Sequence, residues 1–362
     1  MPALPELPGV LSGDQLRATV AWIAAQQDRD GALPWNRSGV LDPWDSVEAA
    51  MALDVGSEHA RAAAAYRWLA ARQRADGSWA AEYRQGAESS PATESNHAGY
   101  LAVGAWHTWL ATRDEELVTD LWPAVRRGLD LVVRMQLAGG AVSWALRPDG
   151  TPDDTALLTG NASLFQALRC GIALAGLTGE DQPDWDLAVT DLGEALRERP
   201  EAFADRSRYS MDWYYPVLGG AVRGTGAHDR LDAAWDTFVV PGLGIRCVSD
   251  HPWVTGAETC ELVLALAAVG RRDAALEQFA AMQHLRDDEG AYFTGFVYAD
   301  DAIWPVERTT WTAGAVVLAA DALAGASAAA GLFTDAGALP PAGLPGTESA
   351  DWPAGRAGPV RP

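Results

Sequence analysis

The sequence contains no lysine, so all 27 basic residues are arginines, and they are outnumbered by 49 acidic residues for a net charge of −22. Nucleic acids and anionic membranes bind proteins through basic surfaces, and this charge balance therefore argues against both as partners. A bare diphosphate ligand would need a local arginine cluster or a metal ion. The simplest role of the acidic excess is solubility.

Cysteine is also scarce, and the sequence has no Cys-x-x-Cys spacing. Cys170, Cys247 and Cys260 are expected to be reduced, buried thiols in a reducing compartment. No run of eighteen apolar residues is present, which excludes a membrane-spanning helix. Residues 1–10 lack a basic segment followed by an apolar one, so no signal peptide is expected. We therefore expect a cytoplasmic protein, and its oligomeric state stays open.

Against these absences stands an internal repeat, in which a helix ends in Gln and a polar turn, a Gly and an aromatic residue follow. The fullest copy, at 61–79, contains Gln73, Gly77 and Trp79. The Gln can bond backbone groups left open at the helix end, and the Gly permits the positive φ that ends the helix. Further copies lie at 17–35 and 127–144, with a fainter one at 271–292. Such a repeat determines the architecture before it indicates a function.

Helical periodicity appears in twelve segments, which form six pairs. The first members cover roughly 13–27, 58–73, 115–136, 184–198, 229–237 and 271–284. The second members cover roughly 44–54, 94–112, 154–176, 211–221, 255–269 and 306–325. Strand signals are short, at 237–240 and 292–294.

Six helical hairpins predict an all-α fold, a single (α/α)6 barrel over residues 13–337 with short β hairpins or loops at one mouth. Residues 1–12 would be an extended lead-in. Residues 338–362 are rich in Pro, Gly and Ala and are expected to form a disordered tail.

Each second helix begins in a cluster of aromatic and polar residues. In a closed ring these starts converge on one mouth and would form an aromatic, carboxylate-rich pocket for a small-molecule substrate. Helix capping accounts for single Ser, Thr, Asp and Asn residues at such positions, but six successive clusters favour a functional mouth. The predicted substrate-binding residues are Trp44, Asp45, Glu94, Asn96, His97, Asn161, Asp212, Trp213, Tyr214, Trp253, Trp304, Arg308 and Trp311.

The Gln-x-x-x-Gly-x-Trp pattern resembles the QW repeat of squalene–hopene cyclases, whose barrel is shared by class II diterpene cyclases and by prenyltransferase β subunits. The resemblance implies the (α/α)6 fold and acid-initiated cyclisation of an isoprenoid. It places Asp153 at the position of the proton donor and Asp154 beside it, although Thr151 replaces the first Asp of the cyclase motif. Aromatic faces would stabilise the carbocation, and Glu307 with Arg308 would orient the substrate.

The same resemblance raises the question of a metal, because prenyltransferase β subunits hold zinc with Asp, Cys and His. Cys247, Asp250 and His251 lie close together in the sequence, but no second cluster of ligands accompanies them. We therefore expect no metal and no cofactor, with Mg²⁺ open only if the substrate is a diphosphate.

A looser resemblance, to six-hairpin glycosidases of the glucoamylase type, comes from the segments 96–100, 111–123, 251–259 and 304–308. Those enzymes need two carboxylates across a pocket and Trp faces for sugar stacking. The candidate carboxylates are Glu94, Glu258, Glu307, Asp45 and Asp212, with Glu258 and Glu307 as catalytic candidates. The main expectation is a terpene cyclase, a glycoside hydrolase is the alternative, and a non-catalytic isoprenoid-binding or scaffold barrel is the third possibility.

Overall fold

Two rings of helices alternate along the chain in the computed structural model, which describes residues 4–37, 39–335 and 338–339. The outer helices are α1 Gly13–Gln26, α3 His59–Arg72, α5 Glu115–Arg134, α7 Pro183–Glu198, α9 Gly224–Ala233 and α12 Arg272–Ala281. The inner helices are α2 Pro43–Val55, α4 Ser95–Thr112, α6 Leu158–Thr178, α8 Ser210–Leu218, α11 Gly256–Ala268 and α13 Thr310–Ala324. A one-turn helix, α10 Trp235–Phe238, follows α9.

The inner ring is closed. Each inner helix packs on the next, from α2 through α4, α6, α8 and α11 to α13, and α13 packs back on α2. A helix with neighbours on every side must be apolar all round, and every residue of α2 is buried. The outer helix α5 instead buries one stripe, which includes Leu117, Leu121, Val125 and Leu129. The predicted all-α (α/α)6 barrel is confirmed.

The Gln of the repeat joins neighbouring hairpins. Gln73 Nε2 donates a hydrogen bond to the carbonyl of Gly77 in its own turn (3.0 Å) and to that of Ala124 in α5 (2.9 Å). Because one amide group serves both the turn and the next outer helix, the repeat fixes the spacing between hairpins. Two other copies bond in the same way, Gln27 to Gly31 and Arg61 and Gln136 to Gly140 and Ala188.

The Gly of the repeat lies directly against the next outer helix. Gly77 has φ +97°, and a Cβ added there would lie 2.2 Å from the Arg127 carbonyl oxygen of α5. Gly290, after α12, makes the same contact with α1, since an added Cβ would lie 2.9 Å from Ala18. Thr19 Oγ1 also donates a hydrogen bond to the Gly290 carbonyl (2.8 Å). The faint last copy of the repeat therefore joins the sixth hairpin to the first.

The β structure lies where the chain enters the inner helices. Strand β1 Glu82–Arg84 pairs with β2 Ala87–Ser90, and β3 Thr93–Glu94 pairs with β4 Ala145–Leu146. A five-stranded antiparallel sheet contains β5 Val239–Val240, β6 Gly244–Arg246, β7 Trp253–Thr255, β8 Gly295–Val297 and β9 Ala302–Ile303. Since β3 and β7 run directly into α4 and α11, this β structure belongs to the mouth at the N-terminal ends of the inner helices, as expected.

Several predicted boundaries need correction. The strand signal at 292–294 precedes β8, and the helix expected at 229–237 is divided between α9 and α10 at Ala234. Helix α6 begins at Leu158, after the Asp153–Asp154 segment, and α13 begins at Thr310, after Glu307. The proposed tail at 338–362 lies outside the described residues except for 338 and 339, as does the start of the lead-in at 1–3. In the described part of the chain, no helix combines the length and the apolar character that a membrane span needs.

Candidate active site

Helix α2 begins at the mouth with an ion pair. Asp42 caps the helix, accepting hydrogen bonds from the backbone N–H groups of Trp44 (2.8 Å) and Asp45 (3.1 Å). His97 Nε2, at the start of α4, lies 3.0 Å from Asp42 Oδ2. Burial alone would raise the pKa of Asp42, but the charge and hydrogen bond of His97 outweigh it and lower that pKa. Asp42 is therefore ionised, and its oxygens are already engaged.

Asp45, which follows Trp44 in the first turn of α2, has a pKa shifted in the opposite direction. Its side chain is 6% exposed and accepts a hydrogen bond from Trp35 Nε1. Burial raises the pKa of Asp45 well above its ordinary value, and the neighbouring charges of Asp42 and Glu48 add to the effect. Asp45 therefore holds a proton under conditions in which an ordinary aspartate is ionised.

Two further glutamates lie one turn deeper, each held by tyrosine. Tyr100 Oη donates to Glu48 Oε1 (2.8 Å), and burial raises the pKa of Glu48 to about 7. On the facing side, Tyr214 and Tyr215 both donate to Glu261 of α11, the latter at 3.0 Å. Burial, followed by the charge of Glu48, raises the pKa of Glu261 well above its ordinary value.

Glu258 completes the cluster from the first turn of α11. Its side chain is 5% exposed, and its charge helps to raise the pKa of Glu261. The charge of Glu261 in turn helps to raise the pKa of Asp45. The carboxylates of α2 and α11 therefore share one interior, although about 200 residues separate the two helices in the sequence.

An aromatic cluster surrounds Trp44, next to these acids. Its ring lies 5.1 Å from that of Tyr100, 6.1 Å from that of Tyr215 and 6.1 Å from that of Trp311, all measured between centroids. Tilted contacts of this kind hold the rings in place. The acids therefore lie in an environment of low polarity, which is the physical reason for their raised pKa values.

A cavity of about 230 Å³ opens beside Trp44. It is lined by residues from the starts of α4, α6 and α8, and it contains the predicted site residues Trp44, Glu94, Asn96, Asn161 and Asp212. Trp144 and Arg206, which the sequence reasoning did not select, also line it. Trp144 is 37% exposed, so its ring is available to a ligand. Four of the six clusters at the inner helix starts thus meet at one cavity.

Two of the cavity residues use their side chains in hydrogen bonds within the protein. Both ends of the Asn161 amide are used, since Oδ1 accepts from the backbone N–H of Val142 (2.6 Å) and Nδ2 donates to the carbonyls of Val142 and Leu157 (2.9 Å each). Asp212 accepts a hydrogen bond from Thr159 Oγ1 (2.6 Å), and burial raises its pKa. The side chain of Asn161 therefore stabilises the loop before α6.

The other predicted mouth residues are spread over the sheet and the core. Trp253 and Trp304 contact each other at 5.2 Å on the five-stranded sheet, where Trp304 is 56% exposed. Arg308 forms an ion pair with Asp287. The structure does not bring these three, or Glu307, to the cavity beside Trp44. Trp213 stacks on Phe238 in the core, Tyr214 binds Glu261 as described, and Trp311 contacts Trp44.

The expected proton donor is in the wrong environment for that role. Asp153 and Asp154 lie in the loop between β4 and α6, and Asp154 is 92% exposed and paired with Arg147 (2.6 Å). Hydrogen bonds from Thr155 lower the pKa of Asp153. A general acid needs a raised pKa, so the interpretation of Asp153 as a donor tuned by Asp154 requires correction. The motif is a capped surface turn.

No group of three or more His, Cys, Asp and Glu side chains is arranged to hold a metal ion among the residues that the structure describes. Asp250 instead pairs with Arg208 (3.0 Å) and with His251 (2.9 Å). The absence of a metal cofactor stays a prediction.

Several site residues were missed from the predicted set, and two simple signals would have found them. Glu48 follows Asp45 by three residues on a helix that is buried along its whole length, and Glu261 follows Glu258 by three residues on α11. A carboxylate one turn inside a fully buried helix needs a reason. The other signal lies in the repeat, where Trp35 and Trp144 each come four residues after the Gly and reach the site.

The repeat position two residues after the Gly behaves differently, because it is buried in every copy. Trp79 occupies it in the second hairpin and donates its Nε1 hydrogen to the Leu69 carbonyl of its own helix (2.8 Å). Its ring also lies against the next outer helix, since a Cβ added at Gly128 of α5 would lie 3.4 Å from it. The corresponding residues in the other copies are Leu33, Val142 and Tyr292.

Comparison with known proteins shows the family. The chain is 52% identical over 331 residues to the MMP endo-(1,4)-3-O-methyl-alpha-D-mannosidase of Mycolicibacterium hassiacum, covering 91% of this chain and 92% of the relative. No protein-family profile matches the chain. This relative contradicts the expectation of a terpene cyclase. The expected isoprenoid substrate is therefore unsupported as well. The relative supports the glycoside hydrolase alternative.

Several solved structures have similar folds. A wild-type glycosidase has a TM-score of 0.66 at 14% identity, covering 87% of this chain and 97% of its own. A variant glycosidase in complex with glucose has a TM-score of 0.67 at 15% identity, covering 88% and 97%. The cellobiose 2-epimerase of Spirochaeta thermophila has a TM-score of 0.59 at 12% identity, covering 85% and 96%. At these identities the likeness concerns the fold alone.

A barrel with buried, proton-holding carboxylates at its mouth and a full-length relative at 52% identity leave one conclusion. The chain belongs to the family of the MMP endo-(1,4)-3-O-methyl-alpha-D-mannosidase and is an enzyme of the glycosidase type.

Proposed function

We propose that the protein is an endo-acting mannosidase that hydrolyses (1,4) bonds between 3-O-methyl-α-D-mannose residues, with Asp45 as general acid and Glu258 as general base. The substrate follows from the name of the relative with 52% identity. The observation that carries the proposal is the raised pKa of Asp45, a buried acid at the mouth that shares the interior with the glutamates of α11. Glycoside hydrolysis requires such a pair.

Asp45 suits the role of the acid. It must give a proton to the glycosidic oxygen as the bond between that oxygen and the anomeric carbon breaks. Burial and two neighbouring carboxylates keep it protonated, and the Trp35 hydrogen bond fixes the side chain. Its position in the first turn of α2 puts it next to Trp44, which lines the cavity.

Glu258 suits the role of the base by elimination among the acids that share the interior with Asp45. Asp42 is occupied by two backbone N–H groups and His97. Glu48 and Glu261 are held by tyrosine hydroxyls one turn deeper. Glu258 remains, in the first turn of α11, and would take a proton from the water that attacks the anomeric carbon.

The aromatic residues would supply binding. A sugar ring presents an apolar face of C–H groups, which stacks on an aromatic side chain. Trp44 lies beside the acids, and Trp144 is exposed on the same cavity. An open cavity with two such rings can hold a residue within a longer chain, which suits cleavage in the interior of a polysaccharide.

The decisive experiment is hydrolysis of a (1,4)-linked 3-O-methyl-α-mannose polysaccharide, followed by mass spectrometry of the products. Fragments of intermediate length are expected from the earliest times, because an endo-acting enzyme cuts inside the chain. Release of monosaccharide alone would contradict the endo assignment, and no hydrolysis at all would contradict the function.

Variants test the catalytic pair in the same assay. Glu258→Gln should reduce kcat by about 10²–10⁴-fold, the usual contribution of a general acid or base. Glu289→Gln, an exposed Glu that contacts Arg308 at 3.5 Å, is the matched control and should keep its activity. Equal activities of the two variants would remove Glu258 from the mechanism.

A further inference from the structure

Two tryptophans present their side chains to solvent at the mouth of the barrel. In the part of the chain that the structure describes, Trp144 and Trp304 are the exposed tryptophans, at 37% and 56%. Trp144 comes directly before β4, in the connection that leads to α6, and Trp304 follows β9 in the segment before α13. Each ring therefore offers an apolar surface near the start of an inner helix.

The two tryptophans lie on opposite sides of the inner ring. Its helices contact one another in the order α2, α4, α6, α8, α11 and α13, and α13 contacts α2. In a ring of six helices, α6 and α13 are three places apart and therefore face each other. A line across the mouth from Trp144 to Trp304 has α2 with Asp45 on one side and α11 with Glu258 on the other. A polysaccharide along this line passes between the proposed acid and base.

The cavity beside Trp44 covers the Trp144 side of this line. Its lining comes from Trp44 and from the segments that lead into α4, α6 and α8. An enzyme that cuts inside a chain holds sugar residues on both sides of the bond that breaks, because their binding energy positions that bond. The other part of the chain therefore needs a binding surface in the remaining sector of the mouth, at the starts of α11 and α13.

Trp304 is fixed in that sector by the five-stranded sheet. Its backbone N–H donates to the Gly295 carbonyl of β8 (3.0 Å), and its carbonyl accepts a hydrogen bond from Trp253 Nε1 (2.7 Å). The two indole rings contact each other at 5.2 Å and 74°. Trp253 is the first residue of β7, which runs directly into the first turn of α11 and Glu258. The strand that positions Glu258 therefore also holds Trp304.

We propose that Trp304 forms a distal subsite, in which its ring stacks on a sugar residue on the other side of the cleaved bond from Trp144, and this inference rests on the proposed function. The C–H face of a sugar ring stacks on an aromatic side chain. Because the backbone and ring of Trp304 are already held, binding costs little side-chain entropy. A mannose polymer is uncharged, so the net charge of −22 does not repel it. Only chains long enough to reach from the acids to Trp304 use this subsite.

The test compares (1,4)-linked 3-O-methyl-α-mannose oligosaccharides of increasing length. Trp304→Ala should lower kcat/KM for the longest by about 3–10-fold, the amount by which one stacked ring strengthens binding. For the shortest oligosaccharide that the wild type cleaves, kcat/KM should change by less than about 1.5-fold, because that chain does not reach the ring. Leu187→Ala, a change at an apolar residue of α7 that is 48% exposed, is the matched control and should alter neither value.

Trp304→Phe and Trp304→Gln provide a second comparison if Trp304→Ala fails to fold. Phe keeps an aromatic face and should retain most of kcat/KM on the longest chain, whereas Gln should lose as much as Ala does. With an oligosaccharide labelled at one end, the variants that lack a ring should also change the distribution of cut positions, which mass spectrometry reads. Equal losses at every chain length, or no loss without the ring, would overturn the subsite.

The outcomes separate this inference from the proposed function. If the wild-type enzyme cleaves neither the oligosaccharides nor the polysaccharide, the proposed function fails. If it cleaves them and the Trp304 variants leave the dependence of kcat/KM on chain length unchanged, only the subsite fails.

Discussion

The two ends of α2 both bury carboxylates, and beyond the Asp42 cap their pKa values are shifted in opposite directions. At the N-terminal end, Asp45 and Glu48 have raised pKa values. At the C-terminal end, Asp54 is only 2% exposed, yet its pKa is lowered. Burial acts on all three in the same direction, so burial alone cannot explain the difference.

Hydrogen-bond donors explain it. Burial is the largest influence on Asp54 and would raise its pKa, but His107, whose Nδ1 lies 3.9 Å from Asp54 Oδ2, and the hydrogen bonds of His59 and Thr108 together outweigh it. His59 Nδ1 lies 2.9 Å from Asp54 Oδ1, and Thr108 Oγ1 donates to Oδ2. Asp45 has one neutral donor, from Trp35, and other carboxylates around it. The C-terminal end of α2 therefore stabilises an ionised carboxylate, whereas Asp45 and Glu48 retain protons, as the proposed general acid requires.

The largest expected effect is a loss of activity on substitution at the N-terminal end of α2. Asp45→Asn should reduce kcat by about 10²–10⁴-fold, because the proposed general acid is lost. The free energy of unfolding should change little near neutral pH, because Asn resembles the protonated Asp that the fold already contains. Steady-state kinetics and thermal unfolding of the same preparation check both. A loss of stability as large as that of Asp54→Asn would make Asp45 structural.

The next largest effect is a loss of stability on substitution at the C-terminal end of α2. Asp54→Asn removes the charge that His59 and Thr108 bind, and it should lower the free energy of unfolding by about 2–4 kcal/mol. The kcat of the folded fraction should stay within about twofold of the wild-type value, since Asp54 lies at the end of α2 away from the mouth. Urea unfolding followed by circular dichroism measures the first value. A selective loss of kcat at full stability would contradict the division between the ends.

The pH dependence of stability gives a third test. Glu48 has a pKa of about 7 in the folded protein and an ordinary value of 4.5, so the folded state holds this proton more tightly. Its contribution is present below pH 4.5 and is lost as the pH rises through 7, by on the order of 1–3 kcal/mol. Asp54, whose folded pKa is lowered, contributes in the opposite sense and loses its contribution as the pH falls below 3.8.

Glu48→Gln isolates this term, because glutamine stays neutral over the range. Unfolding by urea at pH 5 and pH 7.5 should show a smaller decrease in stability for the variant than for the wild type. If the variant and the wild type lose equal stability between the two pH values, Glu48 is ionised at both, and hydrogen-bond donors have offset the effect of burial on its pKa.

The smallest effect is expected at the surface turn. Asp153→Asn removes a carboxylate in a surface turn, whose pKa is lowered by hydrogen bonds from Thr155. Activity on the methylated mannose polysaccharide should change by less than about twofold. A loss comparable to that of Asp45→Asn would return Asp153 to the catalytic machinery and weaken the contrast drawn from α2.

The sequence predicted the fold well because its evidence was local. Gln73 bonds within its own turn and to the next outer helix, and Gly77 touches the same helix. Each such contact joins neighbours in the chain order, so a short repeated pattern indicates how successive hairpins pack. The same pattern misled the functional interpretation, since it describes how hairpins pack and contains no information on the substrate.

The site was only partly predictable. Trp44, Asp45 and Glu258 were selected because they begin inner helices, whereas Asp153 was selected for a motif that turned out to be a surface turn. Helix capping and acid–base catalysis use the same residue types, so the sequence alone could not distinguish a capping residue from a catalytic one. Glu261, in the middle of an apolar helix, carried the stronger signal and was passed over.

By itself, the sequence determined a ring of six helical hairpins with polar and aromatic residues at one mouth, because helix periodicity and the Gln–Gly turns act between neighbouring segments. Only the tertiary structure decided which carboxylates meet. Asp45 and Glu261 approach each other because α13 closes the ring between α2 and α11. Their pKa values depend on burial and on donors from distant segments, and those exist only once the ring has closed.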